Sequence, residues 1–393
     1  MGRHMTGRLR VLMLGGLVPW HPKAGGGQII AYKTSEALAL AGHRLHYLAI
    51  APKGYERQVN WGEVEYAPRG LGLQEALRLA PQLARSSQGN EYEIVHVHLA
   101  NDTIGYCLAY ALARRMGLRP RLAMSIYAPR AYALPRSLGE VITAFSCHAA
   151  DLLFCLSEFS KRDISKAYHV PTSKLAVTYA GVDSSFSANT SRRDRSHDDP
   201  FSLLFSGRLN GPHEQKGVDV LLKSLPAILS HHKVVLTIVG AGPRLSQYQA
   251  LAERLGVSEK VRFLGFVEHE EMPRHYQDAD LFVLPSRRES FGLVLAEAMA
   301  CGLPVVATTA GAMPEVVEDG VTGLLASPGD PRALALAIDS LLSHPEKMKA
   351  MGTAARERVG EHFTWHKLAE RVVHGYQRVM ENPWSAGATG KDR

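Results

Sequence analysis

Several features are scarce in this 393-residue chain, and each scarcity removes a class of protein. No apolar run approaches the roughly 18–20 residues that cross a bilayer, so a soluble chain is expected, at most peripheral to a membrane. Leu9–Leu14 is too short for the apolar core of a secretory leader and reads as a strand. Only four cysteines occur, Cys107, Cys147, Cys155 and Cys301, with no Cys-x-x-Cys pair. Their apolar neighbours point to buried thiols in a reducing cytoplasm rather than to a disulfide frame. The phosphate-loop pattern is missing, and Gly240-x-Gly242 lacks the third glycine of a dinucleotide fingerprint, since Leu245 stands there. No RNA-type stacking motif accompanies the basic balance, so nucleic acid is not an expected partner.

Metal ligands are also thin. Asp278-Ala279-Asp280 imitates a metal-binding Asp-x-Asp, but Asp280 leads straight into the run Leu281–Leu284 and reads as turn chemistry. His96 and His98 share one face of a strand by their two-residue spacing, yet no further ligand cluster joins them. No metal and no cofactor are expected.

What remains is a chain of two-domain length with 21% charged residues and a formal net charge of +7. The charge is uneven. Residues 1–185 hold 21 Lys and Arg against 13 Asp and Glu, and the remainder holds 24 against 25. The whole positive excess therefore lies in the first half. It is either a solvated basic face or the mark of an anionic partner. Arg78 and Arg85, seven apart in a helical pattern, share a face, and Arg114, Arg115, Arg119 and Arg121 cluster nearby in sequence. This face could meet a phosphorylated acceptor or an anionic membrane surface.

Short β-rich runs alternate with helical patterns. Strands are expected at Leu9–Leu14, Leu45–Ala51, Ile94–Leu99, Arg121–Tyr127, Leu152–Leu156 and Leu175–Tyr179, with helices such as Ile29–Ala41 and Ile104–Met116 between them. A second series follows at Leu203–Phe205, Val234–Val239, Val261–Leu264, Leu281–Leu284 and Val305–Ala307, separated by helices at Val218–Ser230, Arg244–Leu255, Leu293–Ala300 and Pro331–Leu342. Such alternation implies α/β folding in parallel βαβ units. The polar stretch Ser184–Pro200 has no periodicity and reads as a linker. The expected layout is a first doubly wound domain over 1–185, a linker over 186–200 and a second domain over 201–364. A final helix at Trp365–Met380 follows within 365–393, returning to the first domain, and ends in a frayed tail. The leading Met1-Gly2-Arg3-His4-Met5 reads as an appended start and stays outside the fold reading. In doubly wound domains ligands bind at the carboxyl ends of the strands.

Three constellations fall at such ends. Glu289-Ser290-Phe291-Gly292-Leu293 joins a strand to a helix start, where free backbone N–H groups suit phosphate oxygens, and Glu297 follows two turns on. Two carboxylates there could accept hydrogen bonds from a sugar and a ribose; the plain alternative is a pair of surface acids complementing the helix dipole. Gly207-Arg208 follows a strand and Lys216-Gly217 precedes a helix, so two cations could neutralise a leaving diphosphate without a metal, or be ordinary surface charge. Gly25-Gly26-Gly27, between the first strand and the first helix, would let backbone approach a phosphate, or mark a mobile turn.

With these residues in place, Leu9–Gln377 resembles the retaining GT-B glycosyltransferases of family four, most closely in its second half. Glu289 and Glu297 resemble the family's paired glutamates with seven residues between. Gly207-Arg208 and Lys216-Gly217 resemble its Gly-Arg and Lys-Gly pair, and Gly25-Gly26 its glycine loop. The resemblance implies two Rossmann-like domains facing across a cleft. It also implies transfer of a sugar from a nucleotide-diphospho-sugar, a UDP-sugar in first place, to a hydroxyl acceptor of unknown identity, with retention and without a metal. Arg208 and Lys216 would hold the diphosphate, and Glu289 the donor sugar. Ser290, Phe291, Gly292 and Leu293 would offer backbone amides, and Glu297 would bind the ribose. Gly240, Gly242, Gly265, Phe266 and Val267 would line the base pocket. His98, at the end of Ile94-Val-His-Val-His, matches a recurrent family histidine near the cleft and joins Arg208, Lys216 and Glu289 as a catalytic candidate. The sequence departs from the family where Ser125-Ile126-Tyr127 carries tyrosine instead of a common histidine, and where Gly311-Ala312-Met313-Pro314-Glu315 replaces Gly-Gly-x-Pro-Glu. A nucleotide-sugar epimerase of the same architecture and a non-catalytic nucleotide-sugar binder are the rival readings.

Overall fold

The structure, a computed structural model, describes residues 8–21, 24, 26–86, 92–100, 103–127, 138–188, 199–209 and 215–381. The expected linker lies mostly outside the described residues, as do Gly25, the terminal tail and residues 210–214 of the Arg208–Lys216 step. By its contacts the chain divides into two compact units, Met1–Gly181 with Trp365–Arg393, and Val182–Thr364.

The first unit runs β1 (Arg10–Leu17), α1 (Gly26–Leu40), β2 (Arg44–Ile50), β3 (Glu63–Ala67), α2 (Leu73–Ser86), β4 (Ile94–Leu99), α3 (Ile104–Arg115), β5 (Arg121–Ile126), α4 (Leu138–Ala149), β6 (Leu152–Cys155), α5 (Glu158–Tyr168) and β7 (Leu175–Val177). Its seven strands pair in the order β3-β2-β1-β4-β5-β6-β7, all parallel. All six residues of β4 and all four of β6 are buried, as expected for central strands covered by helices on both faces. In the edge strand β3 no residue is fully buried; its alternating Glu-Val-Glu-Tyr pattern gave no apolar run, which is why the sequence did not announce it.

The second unit runs α6 (Ser185–Ala188), β8 (Phe201–Ser206), α7 (Val218–Leu229), β9 (Val234–Val239), α8 (Leu245–Arg254), β10 (Val261–Gly265), α9 (Met272–Gln277), β11 (Leu281–Leu284), α10 (Leu293–Ala300), β12 (Val305–Thr308), α11 (Met313–Val316), β13 (Gly323–Ala326), α12 (Pro331–Leu342) and α13 (Pro345–His362). Its six strands are again parallel, ordered β10-β9-β8-β11-β12-β13. The edge strand β13 was not expected either, since four residues, Gly-Leu-Leu-Ala, are too short for a period to show. Helix starts follow local capping chemistry: Asp330 accepts from the N–H groups of Arg332 and Ala333 ahead of Pro331 at the first turn of α12.

The last helix, α14 (Trp365–Glu381), belongs to the first unit. Its buried Leu368, Ala369, Val372, Gly375, Tyr376 and Val379 recur at three- and four-residue steps, so one apolar stripe faces that sheet. No helix among the described residues is long and apolar enough to cross a membrane.

Both sheets share one topological feature. In each, three strands are laid outward in one direction, and the fourth returns to the other side of the first. The reversals lie between β1 and β4 and between β8 and β11. Loops leaving those strands diverge and open a crevice where ligands bind in doubly wound folds.

Candidate functional site

In the second unit the candidate residues leave the carboxyl ends of four neighbouring strands, β10, β9, β8 and β11. After β8, the N–H of Gly207 donates to Val239 O at 3.0 Å and that of Leu209 to Ala241 O at 3.0 Å, zipping this loop onto the one after β9. The N–H of Gly240 in turn donates to Gly265 O at 2.7 Å, joining the loop after β10. Three loops therefore form one continuous backbone edge. Arg208 projects from it exposed, with no side-chain hydrogen bond or ion pair among the described residues. Gly242 and Val267 are half-buried, whereas Phe266 is 60% exposed.

The loop after β11 is the most heavily tied. Glu289 Oε1 accepts from Lys216 Nζ at 2.5 Å and from Ser286 Oγ at 3.0 Å. The Ser286 carbonyl accepts from Thr308 Oγ1 at 2.6 Å, and the Glu289 carbonyl from the N–H of Ala312 at 3.0 Å. Arg287 closes a two-pronged pair with the buried Asp219 at the start of α7, at 2.8 and 2.9 Å. Two glycines make this packing feasible. Gly217 (φ +68°) comes so close that a Cβ there would lie 2.0 Å from Pro285 O, and a Cβ at Gly311 (φ +64°) would lie 2.2 Å from Glu289 O. Both need the left-handed backbone and the missing side chain. The stem of Lys216 passes beside Gly207, with Cδ 3.8 Å from where a Cβ on that glycine would stand. The structure thus brings Lys216, Glu289 and the Gly207-Arg208 turn together.

Gly292 caps α10, and Ser290 and Leu293 beside it are half-buried while Phe291 is buried. The N–H groups of Leu295 and Ala296 both donate to Gly292 O, at 2.8 and 3.3 Å, which leaves those of Leu293 and Val294 at the very start of α10. Glu297, one turn further, is 4% exposed. Tyr276 donates to its Oε2 at 3.1 Å, and His269 Nδ1 lies 3.9 Å from its Oε1. Burial pushes the Glu297 carboxyl up against the opposing pull of His269 and Tyr276.

The first unit presents a different edge. Gly26 opens α1 after β1, with no atom within 4 Å of where its Cβ would be. His98, at the end of β4, is 2% exposed, and both its ring nitrogens are engaged. Its Nε2 lies 3.1 Å from Met13 Sδ, a group that can only accept, so the proton is on Nε2 and Nδ1 accepts from the Tyr127 hydroxyl. Behind it His96 stacks on His98 with centroids 4.5 Å apart, and bonds Ser125 Oγ at 2.8 Å and Tyr376 Oη at 2.6 Å. Burial lowers both histidines, His98 to about 3. The whole chain of groups is neutral. Tyr127 lies against the glycine loop, its Cδ2 3.1 Å from where a Cβ of Gly27 would be.

The basic patch read from the sequence is smaller than its count. Arg114 makes a two-pronged pair with Asp151, both bonds at 2.8 Å, and Arg121 lies 3.6 Å from the same carboxylate. Arg78, Arg115 and Arg119 are exposed, and the side chain of Arg85 is outside the described residues. Asp280, the other imitator, accepts from the N–H of Ser202 in β8 at 2.8 Å, a bond between neighbouring strands rather than the turn chemistry expected. No group of three His, Cys, Asp or Glu side chains among the described residues could hold a metal ion. Sequence reasoning did not find Asp219, Arg287, Ser286, Tyr276, His269 or Asp183. Apart from Ser286, three positions from Glu289, their partners lie as far as 86 positions away, as Asp183 does from His269, and no local spacing signals such pairs.

Comparison with known proteins places this architecture. The family model for glycosyltransferase family 4 matches residues 24–186, and that for glycosyl transferases group 1 matches residues 187–358. An uncharacterized glycosyltransferase of Methanocaldococcus jannaschii is 33% identical over 235 residues, 58% of this chain and 60% of that protein, so the match spans under two thirds of its length. The N-acetyl-alpha-D-glucosaminyl L-malate synthase of Bacillus anthracis is 26% identical over 379 residues, 92% of this chain and 96% of the relative. Among solved structures, Anabaena HepE in complex with UDP superposes with a TM-score of 0.75 at 22% identity, covering 94% of this chain and all of that one. With the two family models running consecutively along residues 24–358, the chain belongs to the family 4, group 1 glycosyltransferases and carries their GT-B pair of Rossmann-like domains.

Proposed function

We propose that this chain moves a sugar from a nucleotide-diphospho-sugar, UDP-linked in first place, to a hydroxyl of an acceptor, with retention at the anomeric carbon and without a metal. The observation that carries this reading is the Lys216–Glu289 pair at 2.5 Å beside the exposed Arg208. A cation already aligned by a carboxylate, next to a second cation, suits a diphosphate that gains charge as its bond to the sugar breaks. In this reading Arg208 and Lys216 take the diphosphate oxygens together with the N–H groups of Leu293 and Val294 at the start of α10. Glu289 then accepts from donor-sugar hydroxyls, and Glu297 from the ribose. Phe266 offers a stacking face to the base beside Gly242 and Val267. Gly25 and Gly26 complete the proposed set of donor-binding residues, and His98 is a neutral residue hydrogen-bonded to Tyr127. The C1–O bond to the diphosphate breaks, the acceptor oxygen bonds C1 on the same face, and its proton passes to a leaving phosphate oxygen. No protein base is required. The UDP held by the similarly folded HepE supports the choice of nucleotide. A phosphorylated or membrane-borne acceptor would meet the exposed Arg78, Arg115 and Arg119 of the first unit.

The test is product analysis with UDP-, GDP- and ADP-sugars and a panel of hydroxyl acceptors. Transfer with retained configuration, reduced far more than donor affinity in Glu289→Ala, is the expected result. Unchanged turnover in that variant would remove Glu289 from its role. An altered donor sugar released with no acceptor present would replace transfer by epimerisation. Membrane contact is tested by cosedimentation with anionic vesicles, and pelleting that ignores lipid charge and salt would contradict it.

A further inference from the structure

The most unusual group of ionisable residues outside the reacting centre is in the second unit, where three elements distant in sequence meet. Asp183 stands in the segment entering that unit, immediately after Val182, whose N–H donates to Phe363 O at 2.9 Å. His269 lies in a short helical turn between β10 and α9. Glu297 lies in α10. The His269 ring bridges the two acids, with Nε2 3.8 Å from Asp183 Oδ2 and Nδ1 3.9 Å from Glu297 Oε1. Phe186 of α6, buried, packs on both His269 and Tyr276, at centroid distances of 5.2 and 5.8 Å. The imidazole thus lies between Phe186 and the two acids, with 35% of its side chain exposed.

We propose that His269 is a positioning residue of the nucleotide site, its imidazolium holding the buried Glu297 carboxylate as an anion that can accept the ribose hydroxyls. The proposal rests on the reading of Glu297 given above. Tyr276 takes one of the acceptor sites of Glu297 Oε2, and Oε1, on the His269 side, is the oxygen with more capacity for a ligand. An anion this deeply buried needs a nearby cation to stay ionised. The charged and titratable groups facing the imidazole are Asp183 from the entering segment, Glu297 from α10 and Glu270 from its own turn. Tyr276 of α9, Cys301 after α10 and Arg356 of α13, which faces Cys301, complete the surroundings of Glu297. His269 is thus the one imidazole in that group. Burial alone would favour its neutral form, but the three acids outweigh this and raise its proton affinity. Removing the imidazolium would leave Glu297, raised by burial, to take up a proton as pH falls.

The experiment is calorimetric titration of the full chain with UDP, GDP and ADP at pH 6 and pH 8, in wild type, His269→Gln, Asp183→Asn, Glu297→Gln and the His269→Gln/Glu297→Gln double variant. His269→Gln should bind the nucleotide about tenfold more weakly at pH 6 and less than about threefold more weakly at pH 8. Asp183→Asn should move in the same direction by a smaller factor. In the Glu297→Gln background, where no charge remains to be held, the histidine substitution should add nothing. Equal losses at both pH values, or full additivity in the double variant, would show a merely structural role and overturn the proposal. Should the wild type bind none of the three nucleotides, the donor-site reading fails instead, which separates the two claims.

Discussion

Towards the carboxyl edge of the first sheet, polar side chains are neutral and matched to one another, with Tyr376, His96, Ser125 and His98 buried and Tyr127 half-buried. At the same edge of the second sheet they are charged, and are either balanced in pairs, as Lys216 with Glu289 and Arg287 with Asp219, or left exposed, as Arg208. The two edges arise from the same strand reversal. The strand reversal is common to both units, and in the proposed reading it is side-chain charge that suits one edge to a diphosphate. The first edge gains rigidity from satisfied neutral bonds. The second holds Lys216 on the Glu289 carboxylate and Arg208 exposed, and in the proposed reading both turn to the ligand.

The comparison can be broken most severely at the charged edge. Lys216→Ala should lower kcat by about 10²–10³-fold, as should Arg208→Ala, in steady-state transfer assays, whereas Tyr127→Phe should change kcat by less than about fivefold. Comparable losses in all three would mean that charge does not separate the edges.

Next in size is the first unit's own ion knot. Asp151 is buried beneath Arg114 and Arg121 and accepts from the N–H of Leu122 at 2.8 Å. Asp151→Ala should destabilise that unit by about 2–4 kcal/mol, seen as a lower denaturant midpoint with nucleotide affinity nearly unchanged.

The two units should also respond to acid in opposite directions. In the first, His96 and His98 hold protons less tightly folded than unfolded. The unfolded chain takes up those protons first, so stability falls as pH drops below the ordinary histidine value, by about 2 kcal/mol at pH 5 for His98 alone. In the second, His269 and Glu297 both hold protons more tightly when folded. Their contribution favours the folded state on the acid side and fades as pH rises through their folded values. Hydrogen exchange corrected for intrinsic rates should show β4 and β5 losing protection from pH 7 to 5.5 while β8 and β11 do not. The smallest effect is at Tyr127→Phe, which removes one hydroxyl from His98 and should cost about 1 kcal/mol in the same unit.

Much of this was legible in the sequence. Continuous apolar runs such as Ile94–Leu99 and Val234–Val239 appear as strands over the same residues, because central parallel strands are buried on both faces. The edge strands β3 and β13 were not, one alternating and one too short. At the site, Gly207-Arg208, Lys216 and Glu289 stood out since each adjoins a strand end or helix start. Their mutual contact could not be read, and neither could the basic patch's loss of Arg114 and Arg121 to Asp151. Such pairings depend on which loops the sheet order makes neighbours, and strand order is not written in local spacing.

The account's central claim is that the second unit's charged edge binds a nucleoside diphosphate without a metal. Calorimetric titration with UDP, GDP and ADP in the presence of EDTA tests it most directly. Saturable binding of one of them, lost in Lys216→Ala and Arg208→Ala, is the predicted result. No binding to any of the three, or binding untouched by both substitutions, would contradict it.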